Sequence, residues 1–251
     1  MFKDHPDLSQ PNGSTVLWRY VPLAQLLSLL EHRALWFARL DKLKDPYEGV
    51  PTKPQIDDLW KIPAELPVEE REHGRRIAEY YTRILSRGSH DLLFVSCWHV
   101  NDDESAAMWR VYAHSGEGIA IKSSFERFRD SFDDTKQVVY GGMIEYVDFA
   151  SYRPTTDNLF ARATLKRRSF IHEQEFRGIV MHPTNEPGIP VPVDLDRLIS
   201  EIYVSPTADP WYAPLMQRMC ARYGVKVEVR QSELLRHPAY LAPRDSGEGA
   251  T

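Results

Sequence analysis

Two cysteines in 251 residues, Cys97 and Cys220, are too few for a disulfide framework, and no C-x-x-C pair offers a redox or zinc site. A reducing cytoplasm is the expected compartment. No stretch approaches the roughly 20 apolar residues a membrane helix needs, and the opening M-F-K-D-H-P-D-L lacks the apolar core of a secretion signal. Neither secretion nor a membrane partner is expected. Positive charge is not in excess either, because 31 lysines and arginines stand against 36 acids for a net charge of −5. That excludes a bulk nucleic-acid-coating surface, although Lys166-Arg167-Arg168 makes a local basic patch. Also missing are a G-x-G-x-x-G loop, an H-x-x-x-H pair, internal repeats and low-complexity runs. His99, Asp102, Asp103 and His114 do not have the spacing of a zinc site, so Asp102 and Asp103 read as a helix cap. Cys97 sits in the apolar run L-L-F-V-S-C-W and reads as a small buried residue rather than a nucleophile paired with His99.

What is present is the composition of an ordinary globular protein, with 42% apolar and 27% charged residues. Residues 1–15 are polar and turn-rich and read as a loose arm. Val16 to Tyr20 predicts a strand, Pro22 opens a helix through His32, and Ala34 to Ala38 predicts a buried strand. In the loop D-K-L-K-D-P-Y-E-G, Asp45 before Pro46 cannot easily continue a helix, so an Asx-type turn is expected beside Glu48. The Pro-rich stretch 50–67 reads as an insertion or flap. From Val68 to Arg87 the spacing of Ile77, Tyr80, Tyr81, Ile84 and Leu85 predicts a helix whose apolar face covers the core.

Further strands are expected at 92–98, 119–121, 202–204 and 225–229, with one bent strand or two over 138–149 and a bulge or turn at Gly141-Gly142. Short helices are expected at Ser123 to Phe128 and from Asp209-Pro210 to Tyr223, where Gly224 ends the chain's last helix. Helices interspersed among strands indicate a single α+β domain over 16–235, with a central, mostly antiparallel sheet flanked by helices, and a flexible tail at 236–251.

The stretch K-R-R-S-F-I-H-E-Q-E-F-R-G-I-V, Lys166 to Val180, carries the best site candidate. A helix from Asp157 to about His172 is expected to lead into a strand. On an extended chain Glu173, Glu175 and Arg177 project from one side, because strand side chains alternate. Two acids and a guanidinium on one surface shift one another's pKa, and such a cluster serves as acid, base or anion opposite a developing cation.

Several runs together resemble the bacterial domain-of-unknown-function family 2971. They are W-R-Y at Trp18–Tyr20, L-W-F-A at Leu35–Ala38, D-P-Y-E at Asp45–Glu48, F-V-S-C-W at Phe94–Trp98, M-W-R-V-Y-A at Met108–Ala113, G-I-A-I at Gly118–Ile121 and K-R-R-S-F-I-H-E-Q-E-F-R at Lys166–Arg177. The resemblance covers about residues 16–205. Lys44 stands where an Asn commonly precedes the Asp-Pro, and Phe170 where a Trp is common. The layout looks like the split sheet of ADP-ribosyltransferases, with Arg19 and Tyr20 on an early strand, Trp36 and Phe37 on a middle strand, and Glu175 introducing a late strand.

That resemblance implies an enzyme that consumes NAD as substrate, an ADP-ribosyltransferase or NAD glycohydrolase, in a phage-defence or toxin setting. Glu175 would stabilise an oxocarbenium-like ribose, and Glu173 would bind a ribose hydroxyl or activate the acceptor. Arg19 would hold the diphosphate, with Lys166 and Arg177 setting the charge balance. Tyr20, Trp36, Trp109 and Tyr112 would supply stacking surfaces, and Asp45 and Glu48 would complete the ligand site. The expected ligand is a small nucleotide, the acceptor is left open, and no metal is required. Two alternatives stand beside it. One is a divalent-metal nuclease or phosphoesterase using Asp45, Glu48, Glu173 and Glu175, with Lys166 on the phosphate. The other is a non-catalytic ligand-sensing or interaction domain.

Overall fold

The computed structural model describes residues 1–88, 92–112, 116–132, 135–156 and 158–238. It opens with strand β1 (Val16–Val21), helix α1 (Leu23–His32) and strand β2 (Ala34–Arg39), as the apolar spacing predicts. Arg33 takes the left-handed conformation (φ 46°) that turns the chain straight from α1 into β2. After a 3-10 turn at Leu40–Lys42, the stretch read as a flap folds into helix α2 (Lys53–Leu59). The Gln55 side chain accepts from the Thr52 amide at 2.8 Å and stabilises its start. Helix α3 (Val68–Gly88) follows.

Strand β3 (Leu93–Val100), helix α4 (Ala106–Tyr112), strand β4 (Ile119–Ser124) and helix α5 (Phe125–Asp130) come next. The cap of α4 is Ser105, whose Oγ accepts from the Met108 amide at 3.3 Å, rather than Asp102 or Asp103. Residues 138–149 form two strands, β5 (Tyr140–Met143) and β6 (Glu145–Val147). Gly141 lies inside β5 instead of at a turn, because a Cβ there would stand 2.7 Å from the Phe176 ring. The helix expected from 157 to 172 is much shorter. It is α6 (Leu159–Ala163), followed by strand β7 (Leu165–Arg167) and a 3-10 turn at Arg168–Glu173, while Asp157 lies outside the described residues. Strands β8 (Glu175–Met181) and β9 (Gly188–Pro192), helix α7 (Leu195–Leu198), strand β10 (Glu201–Val204), helix α8 (Tyr212–Arg222) and strand β11 (Glu228–Gln231) complete the chain.

The domain is mixed α+β, with helices packed on a nine-stranded, mostly antiparallel sheet. Its order is β11-β10-β4-β1-β3-β2-β9, and β8 lies between β3 and β5. Among the described residues, β10 and β11 are its one parallel pair. The sheet forks at β3. Strand β1 meets one end of β3 at Leu17↔Val100 and Trp18↔His99, and β2 meets the other end at Ala38↔Val95 and Arg39↔Phe94. Among the described residues, Ser96, Cys97 and Trp98 have no registered partner on that edge. On its opposite edge β3 is paired with β8 throughout, from Leu93↔Met181 to His99↔Glu175. Arg19 spans the fork, donating to Ser96 Oγ and to the Trp36 carbonyl at 3.3 Å.

Alternation along the strands divides the residues between two faces. One face holds the main core, where Leu17, Phe37, Phe94, Trp98 and Phe176 pack with Leu26, Leu30, Phe128, Leu198 and Met216 from α1, α5, α7 and α8. The other face carries two smaller clusters. Trp18, Tyr20 and Ala120 pack under Met108 and Trp109 of α4, while Val95 and Ile179 pack with Leu8, Leu40 and Ala163. The polar groups of Lys166 to Arg177 lie on this second face.

Two sequence expectations fail for a common reason. Residues 1–15 are not a loose arm: Leu8 is buried, Phe2 bridges to Val139 and packs edge-on against Phe125 and Phe128. On α3, Ile77, Tyr80, Tyr81 and Ile84 are exposed, and Ala78 is buried instead. Local pattern specifies a helical stripe or a polar segment, but what covers it is decided by distant chain. No described helix is long and apolar enough to cross a membrane. The far end of the expected tail, residues 239–251, lies outside the described residues, as does His114.

Candidate active site

Gln174 adopts a left-handed conformation (φ 39°) between the 3-10 turn and β8. Glu173 therefore lies on the turn, and only Glu175 and Arg177 share a strand face, contrary to the simple alternation expected from the sequence. The corner nevertheless brings Glu173 back to the same cluster. Lys166 Nζ donates to Glu173 Oε2 and to Glu175 Oε2, the latter at 2.9 Å, and lies 3.5 Å from Glu48 Oε1.

Behind them Arg177 is fully buried and uses all of its donor groups. Its Nη1 and Nη2 grip the Glu48 carboxylate at 2.7 and 2.8 Å, its Nε and Nη2 reach Glu175 at 2.7 and 3.1 Å, and Nη1 also donates to the Ala163 carbonyl at 2.8 Å. Arg167 pairs with Asp45 at 2.7 Å and covers the rings of Tyr47 and Phe170. Asp45 also closes the expected Asx turn, accepting from the Tyr47 amide at 3.1 Å. Three carboxyl groups, Glu48, Glu173 and Glu175, thus face two cations, Lys166 and Arg177. When all three are ionised, one negative charge remains in excess.

Burial by itself would raise the Glu175 pKa, but the charges of Arg177 and Lys166 overcome it and hold the carboxyl at about 2. Burial opposes the charge of Lys166 as well, yet Glu175 and Glu48 hold its pKa above the ordinary lysine value. Cys97 is half-buried in the cleft lining rather than fully buried as the apolar run predicts, and its thiol pKa is pushed up by burial and then by Glu175, which favours the protonated form. Burial lowers the pKa of His99 and keeps its ring neutral. Tyr112 donates its hydroxyl to Glu173 Oε1 at 3.0 Å, and burial followed by Glu173 raises its pKa.

A stability prediction follows from Glu175. Its folded pKa near 2 lies below the ordinary 4.5, so its ionisation stabilises the fold above about pH 4.5 and that contribution is lost as pH falls toward 2. The urea unfolding midpoint is expected to decline across this window, and Glu175→Gln is expected to flatten the decline. An equal slope in both proteins would contradict the assignment.

These groups form one end of a cleft of about 530 Å³. Of the residues singled out from sequence, Arg19, Tyr20, Trp36, Asp45, Glu48, Tyr112, Lys166, Glu173 and Glu175 line it. Arg177 lies behind the wall. Trp109 is buried on the inner face of α4, edge-on to Tyr20 and bonded through Nε1 to Glu104 at 3.0 Å, so it supports the wall and offers no stacking face. Tyr20 is also largely committed, because its hydroxyl accepts from the Ser105 amide at 2.8 Å. Trp36 and Tyr112 remain about half exposed, at 48% and 46%. Arg19 is partly buried, lies 5.8 Å from the Trp98 ring and has no carboxylate partner among the described residues. Burial lowers its pKa.

Sequence reasoning missed two supporting groups. The sequence presents His99 only as a metal ligand or a nucleophile's partner, although the alternation of β3 puts it on the face of Cys97. Tyr146 carried no local signal, yet its hydroxyl accepts from the Glu175 amide at 2.8 Å and fixes the start of β8. For the metal reading, Asp45, Glu48, Glu173 and Glu175 would have to turn their oxygens to a divalent ion, but Arg167, Arg177 and Lys166 already occupy those oxygens. The donor set does not fit.

No family model and no curated protein matches the chain, so the likeness to family 2971 rests on the quoted runs alone. Among solved structures the chain is similar in fold to two of Thermus sp. 2.9 DarT. One is in complex with ADP-ribosylated ssDNA, with 11% identity, a TM-score of 0.41, and coverage of 90% of this chain and 98% of that chain. The other is in complex with NAD+, with 12% identity, a TM-score of 0.39, and coverage of 89% and 98%.

Proposed function

We propose that this chain cleaves the nicotinamide–ribose bond of NAD, as an ADP-ribosyltransferase or NAD glycohydrolase. The supporting observation is a single cleft in which five separated segments meet, with a cluster of carboxyl groups held by Lys166 and Arg177 at one end and, in the wall, a guanidinium that has no carboxylate partner among the described residues. NAD presents the complementary charges: a cationic pyridinium ring and an anionic diphosphate. A cleft of about 530 Å³ falls within the range of small-ligand pockets.

In this reading Arg19 holds the diphosphate and the exposed faces of Trp36 and Tyr112 flank the bases. When the C–N bond breaks, its electron pair leaves with nicotinamide, and positive charge develops on the ribose carbon and ring oxygen. Glu175, fixed by Arg177, Lys166 and Tyr146, supplies a carboxylate that needs no reorganisation as that charge appears. Glu173, at the outer corner, takes the proton of the incoming acceptor or water. Lys166 bridges the two acids and keeps both oriented.

Incubation of the purified chain with NAD is expected to release free nicotinamide above the spontaneous rate. No release, with or without candidate acceptors, would return the domain to the non-catalytic, ligand-sensing reading.

A further inference from the structure

His99 stands on β3 opposite Glu175 of β8 and Trp18 of β1, lines the cleft and is 7% exposed. Its Nδ1 lies 2.6 Å from the main-chain carbonyl oxygen of Glu173. A carbonyl oxygen only accepts, so Nδ1 carries the proton of the neutral ring and Nε2 presents a lone pair. That Nε2 is buried and has no hydrogen-bond partner among the described residues. Buried polar atoms are nearly always paired in native folds, so this orphan, on a residue that lines the cleft, calls for a donor from outside the described chain.

We propose that His99 Nε2 accepts a hydrogen bond from the carboxamide N–H of the nicotinamide group, an assignment that rests on the NAD reading above. The position supports this choice over the other donors of the dinucleotide. His99 touches the backbone of Glu173, beside Tyr112 and Glu175, where that reading places the ring about to leave. Ribose hydroxyls at this end have carboxylates to accept from them. The carboxamide needs a neutral acceptor, and a lone pair there also rejects the corresponding acid. A nicotinate group is deprotonated at neutral pH and would set an oxygen lone pair against that of Nε2. The site would therefore be specific for amide over acid, a selectivity of the kind buried polar partners provide.

The test compares initial rates on NAD and on its deamidated analogue, nicotinic acid adenine dinucleotide, for the wild type and His99→Phe, which keeps a ring and removes the acceptor. The wild type is expected to favour NAD. In His99→Phe, kcat/KM for NAD is expected to fall about tenfold, the scale of one neutral hydrogen bond, with little change for the analogue, so that the preference collapses. A folded variant that keeps the wild-type preference overturns the assignment while leaving the NAD reading standing. A wild type that cleaves neither dinucleotide overturns the NAD reading and this inference with it. Should the variant fail to fold, histidine 15N resonances of the wild type decide the matter. The Nε2 signal of His99 is expected to shift upfield with nicotinamide and not with nicotinate. Equal shifts with both, or none at saturating nicotinamide, overturn the proposal.

Discussion

Glu175→Gln is expected to lower nicotinamide release from NAD by about a hundredfold or more, the scale on which removal of one preorganised electrostatic group slows a reaction. The substitution keeps the shape and removes the charge facing the ribose. It also leaves Lys166 and Arg177 short of a partner, so the rate has to be expressed per folded molecule, with circular dichroism and thermal melting on the same sample. Glu173→Gln is expected to behave differently. It lies at the outer corner, bonded to Tyr112 and Lys166, and its loss is expected to depress transfer to an acceptor more than hydrolysis. A Glu175→Gln protein that released nicotinamide at close to the wild-type rate per folded chain would remove Glu175 from the chemistry.

The largest effect on stability is expected at Arg177. Its side chain is fully buried and is the common partner of Glu48 and Glu175, so Arg177→Ala leaves two buried carboxyl groups without their main counter-charge. Breaking a buried pair in this way costs about 3–5 kcal/mol, and the melting temperature of a chain this size is expected to drop by about 10 °C or more. Adding Glu48→Gln to Arg177→Ala is expected to recover part of the loss, because the second change removes one of the stranded charges. Simple additivity of the two losses would show that the pair does not act as a unit. The same network explains why β8 can begin with an acid at all: eight bonds and ion pairs from Arg177 and Lys166 hold charges that an apolar interior would otherwise expel.

Much of the fold was legible because its signals are local. Pro22 ahead of an apolar periodic run marks α1, the β-branched and aromatic run before Asn101 marks β3, and Gly224, with φ 73°, marks the end of α8. The site was legible in part for the same reason. Chemistry-bearing residues stand out in K-R-R-S-F-I-H-E-Q-E-F-R, and nine of the eleven residues singled out do line the cleft. The two exceptions show the limit. Arg177 and Trp109 were singled out for their chemistry, but one lies behind the wall and the other on the buried face of α4, because depth depends on what packs from elsewhere.

Composition, alternation and turn chemistry, then, determined the element types, the mixed α+β class and the identity of the charged cluster, since each arises from neighbours a few residues apart. Only the tertiary structure decided that the sheet forks at Ser96–Trp98, that Gln174 swings Glu173 back toward Lys166, and that His99 keeps a nitrogen without a partner among the described residues. The fork and the setting of His99 depend on contacts between residues more than seventy positions apart, such as Arg19 with Ser96 and His99 with Glu173, while Glu173 reaches Lys166, seven positions away, through the left-handed backbone of Gln174. Their geometry is fixed by long-range packing, which no local pattern records.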